Sequence, residues 1–325
     1  MRSRLNVLGR RTRLLHQLRS TFLDWDFVEA QTPLVVAGTY PDVAVDSMEV
    51  VYEGRFLGYL VNSTEFQIKR LMAEGLPRVY TLTQNFRPGD RSTRHNPEFT
   101  MLEWARLGVE LPAIEADAEV LIRGAWEVAG KPTLAWEGRP IDLEGPWEHL
   151  SVATVVERVC GRTLADFSLA SLNRASAALD LPPDFRSNAS LLLSYLLSEA
   201  EPWLGSPRPT WVIDWPAWMT PSAGLRPDRP DLAWRSELFL GGLELCDGFP
   251  FLVDAELQRR LFEEELEARR VTGRPPVQVD HRYLEMLARG LPTGAGMALG
   301  VDRLMMLLAG ATSIDDVLAF PWEER

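Results

Sequence analysis

The sequence predicts an α+β chain, and three observations carry that prediction. Residues 78–104 alternate apolar and polar side chains on both sides of a polar loop, the pattern of a long β-hairpin. Residues 234–249, WRSELFLGGLELCDGF, set Gly241–Gly242 between two strand-like runs, which signals a two-residue hairpin turn. Helical patterns frame both hairpins, one amphipathic at the start of the chain and one apolar near its end.

Composition narrows the field. The chain has 325 residues, 46% hydrophobic and 25% charged, which suits a globular protein with a large core. No apolar run reaches the ~18 residues of a membrane span: Leu191–Leu197 is too short and Met297–Ala311 is broken by Asp302–Arg303. The arginine-rich amino terminus lacks the uninterrupted apolar stretch of a secretory signal. Cys160 and Cys246 are too few for a disulfide framework or a four-thiolate zinc site, so a reducing cytoplasm is expected. A net charge of −12 argues against broad nucleic-acid binding without excluding a local basic patch. Lys69 and Lys131 are the only lysines among 34 basic residues, a bias that reads as genomic base composition.

The elements follow in order. Leu5, Leu8, Thr12, Leu15, Leu18 and Phe22 recur at helical spacing, with Arg10, Arg11, Arg13 and Arg19 on the other faces as a solvated basic surface. A short extended piece stops at Pro33, and residues 51–62 read as paired strands around Glu53–Gly54. Thr64 opens a helix, with Gln67 completing a capping box and Gly75 ending it. After the 78–104 hairpin, residues 112–205 read as a mostly helical insertion within a single catalytic domain spanning 1–325. Strands return at 211–215 and 234–246, then a charged helix at 254–272 and a glycine-rich turn into a last helix.

Three constellations carry chemistry. The hairpin FRPGDRSTRHNPEFTMLEW, residues 86–104, holds Arg87, Arg91, Arg94 and His95 in its loop. Arginine forks grip phosphate oxygens in pairs, so the cluster suits a polyphosphate, although a solvated charged loop would look the same. Thr81, Thr83, Asn85 and Arg87 share one face of the first strand, and Phe99, Met101 and Glu103 share one face of the second. In the 234–249 hairpin the turn pairs Leu240 with Leu243, which makes Glu237 and Glu244 diagonal neighbours on one face. Two such carboxylates suit a metal ion between them, or lie on a wet sheet face. The segment GAGMALGVDRLMMLLAG, residues 294–310, permits close backbone approach and sets Arg303 near a helix start. An ordinary helix entry with a surface Asp302–Arg303 pair reads equally well there.

Taken together, the FR…RHNPEFTMLEW hairpin and the glycine-rich ALGVDRLMML segment resemble the catalytic core of class II aminoacyl-tRNA synthetases of the lysine branch. Within it they are most similar to the lysyl-tRNA synthetase paralogues that attach (R)-β-lysine to translation elongation factor P. The resemblance runs from about Leu5 to Trp322. It implies an antiparallel sheet flanked by helices, a homodimer built on the first helix and Pro33, and ATP with Mg2+ as cofactors. The sequence opens at the first motif's helix, so no amino-terminal anticodon-binding barrel is expected. With the acidic net charge, that counts against tRNA as acceptor and for elongation factor P as partner. By the same resemblance Arg87 holds the α-phosphate, Arg94 and His95 approach the γ-phosphate, Asn96 belongs with them, and Phe99 stacks on adenine. Arg303 sits over the γ-phosphate end, and Glu237 with Glu244 holds magnesium. Glu65 reads a substrate ammonium and Glu103 lies deep in the lysine pocket.

Several positions depart from the family pattern. Asp247 stands where an asparagine is usual, and Phe251 where a glutamate binds the substrate's side-chain ammonium. Pro88–Gly89 replaces an acid after Arg87, and Ala105 replaces an aromatic residue. Ala298 matches the elongation factor ligases, where tRNA-charging enzymes carry glycine. The resemblance thus implies ATP-dependent activation of a basic or β-amino acid and transfer to a lysine of elongation factor P. A ligase for another acceptor, tRNA or a carrier protein, and a catalytically silent nucleotide-binding paralogue are the alternatives.

Overall fold

The structure is a computed structural model that describes residues 4–89 and 91–324. The chain opens with helix α1 (Arg4–Asp24), short strands β1 (Val28–Glu29) and β2 (Val35–Val36), and the hairpin β3 (Glu49–Tyr52) and β4 (Arg55–Leu60). Helix α2 (Glu65–Ala73) leads into β5 (Arg78–Phe86), β6 (Glu98–Leu107) and α3 (Leu111–Val128). Next come β7 (Leu134–Trp136), β8 (Arg139–Ile141), β9 (Glu148–Ser151), α4 (Val152–Cys160), α5 (Leu169–Ala175) and α6 (Ala189–Ser198). They are followed by β10 (Thr210–Ile213), β11 (Trp215–Pro216), β12 (Leu232–Ala233), β13 (Ser236–Leu240) and β14 (Leu243–Pro250). Helices α7 (Ala255–Val271) and α8 (His281–Arg289), strand β15 (Gly294–Gly300) and helix α9 (Val301–Ala309) complete the order. Among the described residues no helix is long and apolar enough to cross a membrane.

The chain divides into two compact units, Met1–Pro132 with Gly248–Arg325, and Thr133–Asp247. Of the residues expected as one helical segment, 112–205, α3 falls in the first unit. The three strands β7–β9 and helices α4–α6 fall in the second.

In the first unit β6 is the spine, antiparallel to β5 from Arg78↔Arg106 to Phe86↔Glu98 and to β15 from Gly294↔Leu107 to Gly300↔Met101. Strand β1 adds to β5 in parallel. One face of this sheet is apolar and covered by α1, where Phe22 stacks on Tyr80 at 4.3 Å between ring centroids. The other face carries a ladder of mostly polar side chains, Thr81, Thr83, Asn85 and Glu103 among them. It begins on Val79 and Ala105, which pack with Phe66, Phe251, Phe262 and Tyr283 in a core shared with α2, α7 and α8.

Four expectations are corrected here. The buried stripe of α1 is Val7, Leu14, Leu18 and Phe22, while Leu5 is 79% exposed. Arg11 is not solvated: its guanidinium reaches Asp302 at 2.6 Å and Thr100 Oγ1 at 2.7 Å, so the helix turns that arginine inward. Thr64 makes no side-chain cap, because its hydroxyl is taken by Glu103. The glycine-rich "turn" is strand β15. Packing requires Gly294, since a Cβ there would stand 2.3 Å from the Arg106 carbonyl oxygen, and at Gly296 it would stand 3.0 Å from that of Trp104.

The second unit pairs β10 antiparallel with β13 (Val212↔Glu237) and parallel with β9 (Ile213↔Ser151). Helices α4, α5 and α6 bury Val155, Leu172, Leu192 and Leu196 around Val212. Gly241 and Gly242, at φ +63° and +88°, form the two-residue turn the sequence predicts between β13 and β14, with the positive φ values that glycine tolerates.

Candidate active site

The ladder of the first unit places side chains by register. Thr81 pairs with Glu103 and Glu103 with Ala298; Thr83 pairs with Met101, and Asn85 with Phe99. Arg87 follows on the same face, its N–H donating to the Pro97 carbonyl at 2.9 Å. At ~3.4 Å per residue, Phe99 stands about 14 Å along the strand from Glu103.

At the Arg87 end the groups suited to phosphate gather. The Arg87 guanidinium lies 5.3 Å from the Phe99 ring centroid, and its buried Nε has no hydrogen-bond partner. Arg303, in the first turn of α9, donates from Nη2 to His95 Nε2 at 2.6 Å. The other ring nitrogen, Nδ1, meets Ser92 Oγ at 2.8 Å, so contacts at both nitrogens fix the ring. Asn96 is buried and braces the loop, its amide donating to the Glu98 carbonyl at 2.5 Å. Arg94 sits in the same turn, its backbone N–H on Ser92 Oγ, whereas Arg91 pairs with Glu323.

At the other end the acids are engaged by the chain itself. Glu103 accepts from Ser63 Oγ, the Thr64 N–H and Thr64 Oγ1, each at 2.5 Å. Burial pushes its pKa up against those hydrogen bonds, with Glu65 adding to the rise. Glu65 pairs with Lys69 at 2.5 Å. Lys69 is 1% exposed, with its Nζ 4.9 Å from the Phe251 ring centroid, 5.6 Å from Phe249 and 5.9 Å from Tyr283. Phe251 is itself core, and its ring lies against the glycines of β15. The buried Tyr283 hydroxyl has no hydrogen-bond partner, and burial together with Glu65 raises its pKa.

In the second unit Glu237 is buried, Glu244 half-buried, and both lie near Arg235. Arg235 reaches Glu237 Oε1 at 2.7 Å and grips Asp247 with Nε and Nη2 at 2.8 and 3.1 Å. Its face packs on Trp215 at 4.6 Å. Burial alone would lower the Arg235 pKa, but Asp247, Glu237 and Glu244 outweigh it and the pKa rises. Three acids against one guanidinium leave surplus negative charge, a donor set that fits a divalent cation. Among the described residues no group of three or more His, Cys, Asp or Glu could hold a metal alone. A cation held there would take its remaining ligands from outside these side chains.

Comparison with known proteins resolves the family. The sequence model for class II tRNA synthetases (D, K and N) matches residues 2–324. The chain belongs to this class II synthetase family. A relative from Enterobacter sp. (strain 638), named elongation factor P–(R)-β-lysine ligase, is 33% identical over 325 residues, covering 96% of this chain and 94% of that protein. Relatives of the same name from Vibrio atlanticus and Klebsiella pneumoniae are each 32% identical, covering 98% and 96% of this chain. Sequence reasoning missed Lys69 and Tyr283 in the first unit and Arg235 in the second, and it gave Thr64 and Arg11 other roles. Only Lys69 left a signal: it is one of two lysines kept in a chain that otherwise uses arginine.

Proposed function

We propose that this class II enzyme is an AMP-forming aminoacyl ligase of the cytoplasm that charges a lysine of elongation factor P. The observation that carries this reading is the single sheet face running from Glu103 through Phe99 to Arg87, with Arg303 beside it on His95. It supports binding a long, polyanionic substrate in one orientation. The substrate carboxylate oxygen attacks the α-phosphorus, the bond to the β-phosphate oxygen breaks, and pyrophosphate leaves. A lysine amine then attacks the acyl carbon, AMP departs, and the amine proton passes to solvent. No nucleophile of the enzyme is needed; the site acts by position and charge.

Arg87 would grip the α-phosphate and stabilise the charge gained there, its orphaned Nε offering a ready donor. Phe99 would stack on the base, while Arg94, Arg303 and the fixed His95 would hold the terminal phosphates. Asn96 keeps that loop in shape. Glu237 and Glu244 would hold Mg2+, which when bound neutralises phosphate charge. The relatives' printed names make (R)-β-lysine the first amino acid to test. Exposed Leu5, Leu23, Val28, Leu34 and Val35 support a homodimer formed through α1 and the segment at Pro33, checked by light scattering after gel filtration.

The test is amino-acid-dependent ATP–pyrophosphate exchange, followed by mass spectrometry of elongation factor P. Arg87→Ala is expected to lower exchange about 100-fold. ATP binding without exchange for any amino acid would favour the silent paralogue, and acylation of tRNA alone would replace the acceptor.

A further inference from the structure

The phosphate-side loop carries one more arginine than the residues given to ATP above. Arg91 pairs with Glu323, a residue of the segment that follows α9, and both lie in the first unit. We propose that Arg91 is a further ligand for the terminal phosphates of a nucleoside triphosphate, and that the Glu323 carboxylate keeps its place until the nucleotide arrives. This rests on the aminoacyl ligase reading above.

The loop is tied to residues 313–324 at two points of unequal firmness. The Ile314 N–H donates to the Thr93 carbonyl at 2.7 Å, and Ile314, Val317 and Leu318 are buried, so this tie fixes the middle of the loop. The Arg91–Glu323 tie is soft, because the two side chains are 55% and 68% exposed and an ion pair in water stabilises little. Backbone geometry keeps Arg91 close to the phosphate groups. Ser92 and His95 pair in an antiparallel bridge, the Ser92 N–H donating to the His95 carbonyl at 3.2 Å and the His95 N–H to that of Ser92 at 3.3 Å. This sets the Arg91 Cα within about 9 Å of the His95 Cα. His95 is in turn the residue that Arg303 holds at 2.6 Å. A carboxylate offers a guanidinium fork the same paired oxygens as a phosphate, but with a single negative charge. The end of a triphosphate carries more charge and binds the fork more strongly. Phosphate therefore displaces Glu323 from Arg91, and Glu323 turns into water without leaving a buried charge. Acting only through Arg91, Glu323 is a positioning residue.

The experiment is calorimetric binding of ATP and of AMP, each with Mg2+, to the full chain and to Arg91→Ala, Glu323→Gln and the double variant, with Arg87→Ala beside them. Both side chains are more than half exposed, so neither change threatens the fold. Arg91→Ala should weaken ATP about tenfold and leave AMP within about twofold, because AMP lacks the terminal phosphates. Glu323→Gln should tighten ATP about two- to fivefold, the worth of an exposed pair, and leave AMP unchanged. It should have no effect once Arg91 is truncated. Unchanged ATP affinity in Arg91→Ala would overturn the inference, as would equal losses for ATP and AMP. So would a Glu323→Gln that weakens ATP, or one that acts equally without Arg91. ATP binding that still depends on Arg87 would in those cases leave the ligase reading standing. A full chain that binds neither nucleotide would overturn both.

Discussion

Truncating Arg11 tests whether the sheet and its two neighbouring helices are fastened through one buried ion pair. Arg11 is 15% exposed and Asp302 3%; they meet at 2.6 Å, while Asp302 also accepts the Thr100 N–H at 2.7 Å. Arg11→Ala leaves a buried carboxylate with the Thr100 hydrogen bond alone. Breaking a buried pair from one side costs about 3–5 kcal/mol, and the surviving charged hydrogen bond keeps the loss near the lower end, about 3 kcal/mol. Asp302→Ala strands the guanidinium and the Thr100 N–H and should cost about the same. The double variant should then be less destabilised than the sum by about 2 kcal/mol, because neither survivor is left charged and alone. Urea unfolding at fixed protein concentration, followed by tryptophan fluorescence and far-ultraviolet dichroism, measures all three. Arg11→Ala within 1 kcal/mol of the wild type, or strict additivity, would refute the reasoning.

Three further outcomes follow from other contacts. Burial holds the Glu103 pKa above its ordinary 4.5, so the folded state keeps its proton longer than the unfolded chain. Wild-type stability should therefore fall as pH rises from 4.5 through the raised value, and urea midpoints of Glu103→Gln should lack that slope. Gly294→Ala would drive a methyl into the Arg106 carbonyl and to 2.9 Å from Phe251 Cε2. It should lose about 1–3 kcal/mol in the same assay. Fully buried Arg269 donates to the carbonyls of Asp42, Val45 and Pro275 and to Asp46. Arg269→Ala should cost roughly 3 kcal/mol or more and raise proteolysis near residues 42–46.

The β5–β6 hairpin was legible because period-two alternation leaves few other registers. Gly241–Gly242 was legible because only a tight turn wants two positive φ values. What stayed hidden depends on partners distant in sequence. The stripe expected on α1 starts at Leu5 and Leu8, the buried one runs through Val7 and Leu14, and the Arg11–Asp302 pair joins residues 291 apart. The capping pattern at Thr64 is genuine, but Glu103, 39 residues on, takes the hydroxyl first. Glycines argue against a strand locally, yet β15 needs Gly294 because the β6 backbone and the Phe251 ring leave no room for a Cβ there. The residues proposed for ATP come from the family resemblance, since a solvated charged loop has the same residue types and spacing. The amino-acid side turns on which donors reach which acids, and a string of letters does not show that.

The same ladder explains how one end of the site can change while the other keeps its chemistry. Ala105, against which Phe251 packs, lies eight residues from Pro97, the partner of the Arg87 N–H, or about 27 Å of strand. Side chains that far apart with no shared partner act nearly independently. Replacing a carboxylate by Phe251 therefore alters the electrostatics around Lys69 without disturbing the His95–Arg303 pair or Phe99. The cost of such a change is local. With one acid fewer, Lys69 and Glu65 cancel, and the phenylalanine ring that replaced the acid buries itself in the core shared by α2, α7 and α8. Removing either partner would leave the other's charge beside the aromatic wall, so Lys69 and Glu65 hold one another in place.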